Sequence, residues 1–256
     1  MPTPPATLRE RRRQETATAI LDAARAQLVA EGVPGVTLRE VARQLGMAVS
    51  ALYRYVGSRD DLITELLVEA FTQHADAVDT AVDAALAPSG GQVRTASGLA
   101  DALARAFAAY RAWALEHPAQ FGLAYGAPLP GYRAPAERTI AVAARPGDRL
   151  ASLVAHAQAE GLLDAQRARA RAAELDPGTA ADLAALVQRR GYGLDVGWMA
   201  LLTDTFSRVH GLVAMEVFGH LRPFTADGEA YAAHAVRTCL AAFGLPVGEG
   251  DTPADD

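Results

Sequence analysis

Tyr53, Arg54 and Tyr55 stand in a row in the stretch LREVARQLGMAVSALYRYVGSRDDL, residues 38–62, with Thr37 and Arg39 upstream and Arg59 just beyond. Hydroxyls and guanidinium groups are hydrogen-bond donors that suit an oxygen-rich anionic partner, above all a phosphodiester. Catalysis has no comparable signal. The six histidines (74, 117, 156, 210, 220, 234) show neither His-x-x-x-His nor carboxylate-flanked metal spacing, so no metal and no cofactor is expected. Cys239, the single cysteine, falls on an apolar helical stripe and reads as core rather than nucleophile. There is no Gly-rich phosphate loop and no Gly-x-Ser-x-Gly, so no catalytic residue is nominated and the chain is not expected to be an enzyme.

The elements that must carry the donor cluster are helical. Residues 17, 20, 21, 24 and 28 (Ala, Ile, Leu, Ala, Leu) form one stripe of a helix spanning about 15–31, closed by Gly32 and Pro34. Thr37 and Glu40 have the spacing of a capping box, opening a second helix with Leu38, Val41, Ala42 and Leu45 inward. Gly46 ends it. A third helix over about 48–56 turns Leu52 and Val56 inward, and Ser58 with Asp61 opens a long fourth helix. Two short helices across a Gly turn, docked on a preceding helix, make a helix-turn-helix, whose second helix enters the DNA major groove. With Leu52 and Val56 inward, Val49, Ser50, Tyr53 and Arg54 are left on the outer arc, and Arg39 projects away from the buried stripe. The start of the second helix lets Thr37 offer hydroxyl and backbone N–H to a phosphate.

Beyond its spacing, TLREVARQLGMAVSALYRYVGSRDDLI closely resembles the DNA-binding domain of the tetracycline-repressor (TetR) family of bacterial transcription regulators, within a domain of about Gln14 to Glu69. The resemblance implies base-facing positions for Arg39, Val49, Ser50, Ala51 and Tyr55, and phosphate-facing positions for Thr37, Tyr53 and Arg59. One departure is Ala48, where relatives often carry a capping Ser; its loss weakens the cap by about 1 kcal/mol.

Downstream, helices are expected over about 97–116, 136–160 with a kink or break at Pro146-Gly147, 196–221 and 227–243, with YGAPLPGYRAP (125–135) as a shaped loop. SRVHGLVAMEVFGHL and that loop resemble the TetR subgroup named for a Trp-His-Gly motif, although Val209 precedes His210-Gly211 here. The family likeness implies that the last two helices form a dimer interface, with Val213, Val217, Val236 and Leu240 as candidates. Phe107, Tyr110, Trp113, Phe121, Tyr125, Tyr132, Phe206 and His210 are candidate lining for a small-molecule effector pocket, each with plain core as its alternative.

The architecture expected is therefore all-α: residues 1–13 a disordered basic arm, 14–72 a helix-turn-helix domain, 73–245 a helical regulatory and dimerisation domain, and 246–256 a disordered tail. The formal charge of −6 is uneven: nine Arg against five acids through Arg59 give +4, leaving −10 for the rest. Basic character is thus local to the donor cluster. All 24 basic residues are Arg. A lone cysteine, no apolar signal segment and no membrane-length run point to the cytoplasm, away from membranes. The function expected is a homodimeric repressor on a palindromic double-stranded DNA operator, released by a small apolar effector. The alternatives are an all-α interaction module that has lost DNA binding, or a small-molecule enzyme.

Overall fold

The computed structural model describes residues 7–246, so the first residues of the expected arm and all but the first of the expected tail lie outside it. Among the described residues every regular element is a helix: α1 (Leu8–Gly35), α2 (Leu38–Gln44), α3 (Val49–Leu52), α4 (Arg59–Leu86), a 3-10 turn (Ala87–Ser89), α5 (Ala96–Glu116), α6 (Pro118–Tyr125), α7 (Ala136–Ala159), α8 (Ala165–Ala173), α9 (Pro177–Arg190), α10 (Val196–Val217) and α11 (Gly228–Ala242).

The chain divides into two compact units, Met1–Gln73 with His117–Ala143, and His74–Glu116 with Ala144–Asp256. A single cut at residue 72 is therefore not what the fold adopts. Segment 117–143 joins the N-terminal unit because Ala119 and Leu123 of α6 pack on its core.

That core is built from Ile20, Ala24 and Leu28 of α1, Val36, Leu38 and Val41, then Leu52 and Val56, and Leu62 and Leu66 of α4. Helices as short as α2 and α3 do not persist alone in water. Each buried Leu, Ile or Val contributes about 1.5–3 kcal/mol on leaving water, and this anchorage holds them. Helix α1 begins at Leu8, not near Glu15. Thr7 closes a capping box: the Glu10 N–H donates to Thr7 Oγ1 (3.2 Å) and the Thr7 N–H to Glu10 Oε2 (2.7 Å). Arg9, Arg11, Arg12 and Arg13 therefore ride on a helix, which corrects the disordered arm. The helix breaks where expected, at Gly32, with φ 70° and ψ −173°.

In the second unit α10 is central, packed by α5, α8, α9 and α11. Trp198 is fully buried and stacks on Phe243, centroids 5.7 Å apart. Gly197 permits the approach of α8, since a methyl group there would sit 1.9 Å from the Ala168 carbonyl oxygen. Helix α7 runs through Pro146 as one element, so of the kink or break expected there the break does not occur. The flanking arginines hold it on α4: Arg145 pairs with Asp76 (2.7 Å) and Asp79 (2.6 Å), and Arg149 with Asp83 (2.5 Å).

Candidate functional site

The α2–turn–α3 segment presents an outer face set by its inner one. Leu52 and Val56 are 0% and 8% exposed, while Val49 and Tyr53 are 37% and 54% exposed. Arg39, Ser50 and Arg54 are exposed as well, and Ala51, Thr37, Tyr55 and Arg59 half-buried. Among the described residues neither Arg39 nor Arg54 has an ion-pair partner, whereas Arg43 pairs with Glu40. Two uncommitted guanidiniums thus flank Val49, Ser50 and Tyr53, an arrangement suited to phosphates and base edges.

Helix α3 is shorter than expected. Ala48 is its N-cap and supplies no side-chain cap, and the α-helix ends at Leu52. Hydrogen bonds from Tyr55 N–H to Leu52 O (2.8 Å) and Arg54 N–H to Ala51 O (3.3 Å) carry the chain on as tight turns. Tyr55 packs against the core of its unit, so it fits a base-facing role less well than its neighbours.

Thr37 and Arg59 are engaged differently from the expectation. The Thr37 hydroxyl accepts the Glu40 N–H (3.3 Å), but the Glu40 side chain turns to Arg43 instead of completing the box. The Thr37 N–H donates to Gln27 Oε1 (3.1 Å), so it is not available to a phosphate. Arg59 donates from Nε to the Val36 carbonyl and from Nη2 to the Val33 carbonyl, each at 2.8 Å. Gln27, 2% exposed on α1, was missed by sequence reading. Its only signal there is a polar residue beside Ala24 and Leu28 in an apolar stripe. Arg25 forms a second tie between α1 and α4, to Glu69.

The eight candidate pocket residues do not share one unit. Phe121, Tyr125 and Tyr132 belong to the first: Phe121 is buried, Tyr125 meets Phe71 edge-on at 5.7 Å, and the Tyr132 hydroxyl pairs with Thr64 Oγ1 at 2.9 Å. Burial pushes the Tyr125 phenol well above its ordinary range. In the second unit Tyr110, Trp113, Phe206 and His210 gather near His74. The His74 ring lies 4.6 Å from Tyr110 and 5.1 Å from Trp113, and the Tyr110 hydroxyl lies 2.6 Å from His210 Nδ1. Phe206 stacks on His210 at 5.3 Å but is 46% exposed, so it covers the cluster from outside and does not line an interior pocket. His74, unassigned from sequence, is 3% exposed, and desolvation pushes its pKa from 6.5 to about 4, with the charge of His210 adding to the shift. His210 is shifted down as well, by desolvation.

A groove of about 770 Å³ lies between α5, α10 and α11. Phe107 lines it, with Ala104 and Ala108 of α5 and with Val213, Val236 and Leu240. Val213 and Leu240 are 0% and 4% exposed in the single chain, which removes them as dimer-interface candidates, and Val217 and Val236 are half-buried.

The scaffold and its outward-facing second helix define a helix-turn-helix protein. Two family models match: "Bacterial regulatory proteins, tetR family" over residues 20–66 and "Tetracyclin repressor-like, C-terminal domain" over residues 103–239. The latter spans more than half of the chain, and the chain belongs to the tetracycline-repressor family, whose members are transcriptional regulators and not enzymes. The HTH-type transcriptional regulators Mb1846 of Mycobacterium bovis and Rv1816 of Mycobacterium tuberculosis are each 46% identical to it over 133 residues, 52% of this chain and 53% of theirs. The chain thus spans about half the length of the curated relatives it matches. Among solved structures, the regulatory protein SCO4313 is similar at a TM-score of 0.67 and 29% identity, covering 92% of this chain and 100% of that one. The TetR-family regulator PfmR of Thermus thermophilus, at 0.52 and 18% identity over 87% and 97% of the two chains, shares the fold. No helix among the described residues is long and apolar enough to cross a membrane.

Proposed function

We propose that the protein is a cytoplasmic homodimeric repressor that binds a palindromic operator and is released by a small apolar effector. The observation that carries the DNA reading is the pair Arg39 and Arg54, exposed and without ion-pair partners among the described residues. They lie beside Val49, Ser50 and Tyr53, on the face opposite the buried Leu52 and Val56. Two copies are needed because helix-turn-helix readers engage half-sites in successive major grooves, about 34 Å apart. Arg54→Ala or Tyr53→Phe is expected to weaken binding to every sequence. The slope of log affinity against log salt should fall by about one unit where a phosphate contact to arginine is lost. Val49 or Ser50 substitutions should instead change which base pairs are preferred. Variants that bind operator like the wild type at all salt concentrations would overturn the phosphate assignment, and a wild type that binds no DNA would leave the interaction-module reading in place.

The groove between α5, α10 and α11 is the favoured effector site. Its volume lies in the range of small-molecule pockets and its lining is mainly Ala, Val, Leu and Phe. The likeness to the Trp-His-Gly subgroup fits a ligand-responsive C-terminal domain, with Arg111 and Glu229 as polar groups in the lining. An apolar molecule bound only to the folded state raises stability by RT ln(1 + [L]/Kd), about 2.7 kcal/mol at a hundredfold excess over Kd. The same molecule must lower operator affinity, since coupling between sites is reciprocal. Ala108→Trp, which fills the groove, should abolish both effects. A compound that still acts on that variant binds elsewhere.

A further inference from the structure

We propose that Arg59 acts on operator binding as a positioning residue: it locks the first turn of α4 to the segment leading from α1 into α2, instead of gripping a phosphate. Its functional consequence rests on the DNA-binding reading above; its geometry does not. One planar guanidinium spans two carbonyls, Val36 through Nε and Val33 through Nη2, each at 2.8 Å. Both lie in the short stretch between Gly32, where α1 leaves helical geometry, and Leu38, where α2 begins. The Val33 carbonyl also accepts the Val36 N–H (3.2 Å), and the remaining acceptor capacity of carbonyls at a helix end suits a charged donor fork.

The same stretch is held from its other side. The buried Gln27 of α1 takes the Thr37 N–H at 3.1 Å, and Thr37 is the N-cap of α2. Val36, between the two ties, is fully buried. The linker therefore has its carbonyls fixed by α4 and its last amide by α1. A shift of the first turn of α4 reaches the start of α2 through polar bonds of defined length, not only through core side chains that could repack. A residue committed in this way sets the angle at which α2 and α3 are presented.

Lysine separates the two roles, because it keeps the charge but lacks the fork. As a positioning residue, Arg59→Lys and Arg59→Gln should each weaken operator binding by about tenfold, with the salt slope of the wild type. As a phosphate ligand, Lys would keep most of the affinity and Gln would lower the slope by about one unit; that result overturns the proposal. A second readout needs no DNA. In both variants amide hydrogen exchange at Val36 and Thr37 should quicken by about tenfold while Ala24 and Leu28 keep their protection. Unchanged exchange at Val36 and Thr37 overturns the clamp. Quickened exchange in a protein that binds no DNA sinks the DNA-binding reading and leaves the clamp standing. If Gln unfolds the chain, seen as lost protection at Leu28, the Lys variant decides.

Discussion

His74 ties the stability of the second unit to pH. Its ring is enclosed by Tyr110 and Trp113 and its pKa is pushed down to about 4, so the unfolded chain takes up the proton first. Stability is then complete above about pH 6.5 and is lost as pH falls toward about 4, by roughly 3 kcal/mol at most. His210, shifted in the same direction, adds to that slope. Urea midpoints measured from pH 7.5 to 4.5 should fall for the wild type and fall distinctly less for His74→Phe. Equal slopes would show that the imidazole is not the group responsible. Which donors point outward was legible in the sequence, because the positions of Val49, Ser50, Tyr53 and Arg54 follow from helical spacing once Leu52 and Val56 are placed inside. The partners of Thr37 and Arg59 were not. They sit 10, 23 and 26 residues away, and nothing in local periodicity says that Gln27 or the carbonyls of Val33 and Val36 will compete with DNA for those donors.

At the scale of elements, stripes and caps located most helices, while ends and interruptions depended on partners. The sequence marks Gly32 as a helix end, and its backbone, φ 70° and ψ −173°, lies in a region nearly restricted to glycine. Gly32→Ala should cost about 1–3 kcal/mol, seen in thermal or urea unfolding, and a silent substitution would mean that the break relaxes freely. Thr7 and Glu10 form a capping box that Pro- and Arg-rich composition concealed, which is why α1 starts a full turn or more before the apolar stripe does. Pro146 was legible as a kink or break, and α7 continues through it with Arg145 and Arg149 held by the acids of α4 on either side. Gly197 was unremarkable in the sequence, yet it lets α10 approach the backbone of α8 closely. A Cβ there would overlap the Ala168 carbonyl oxygen, so Gly197→Ala should destabilise by about 1–3 kcal/mol, the range for overpacking, although it raises helix propensity.

For the molecule as a whole, charge and division matter more than any one contact. The segment through Arg59 carries +4 against −10 elsewhere, so operator association should slow as salt rises, while a probe of the acidic remainder finds no affinity for DNA. The two units do not follow a single cut in the chain, and composition could not reveal this, since the return of 117–143 to the first unit depends on where Ala119 and Leu123 pack. Val213 is fully buried in its own subunit, so Val213→Arg should unfold the chain, not separate two folded copies. Exposed Ser207 of α10 and Thr238 of α11 are the better probes: Ser207→Arg with Thr238→Arg should give a folded monomer by light scattering and circular dichroism. A wild type that scatters as a monomer at micromolar concentration would refute the dimer.

The stacking of Trp113 on His74, at 5.1 Å and 24° between planes, makes the chain report on itself optically. An excited indole gives up an electron readily to a protonated imidazole ring and poorly to a neutral one, so the emission of Trp113 should dim as His74 takes up its proton. Trp198, stacked on the non-titrating ring of Phe243, supplies a steady background. The tryptophan emission of the folded protein should therefore drop in a single step near pH 4 that His74→Phe abolishes, an optical titration of one buried proton that needs no label.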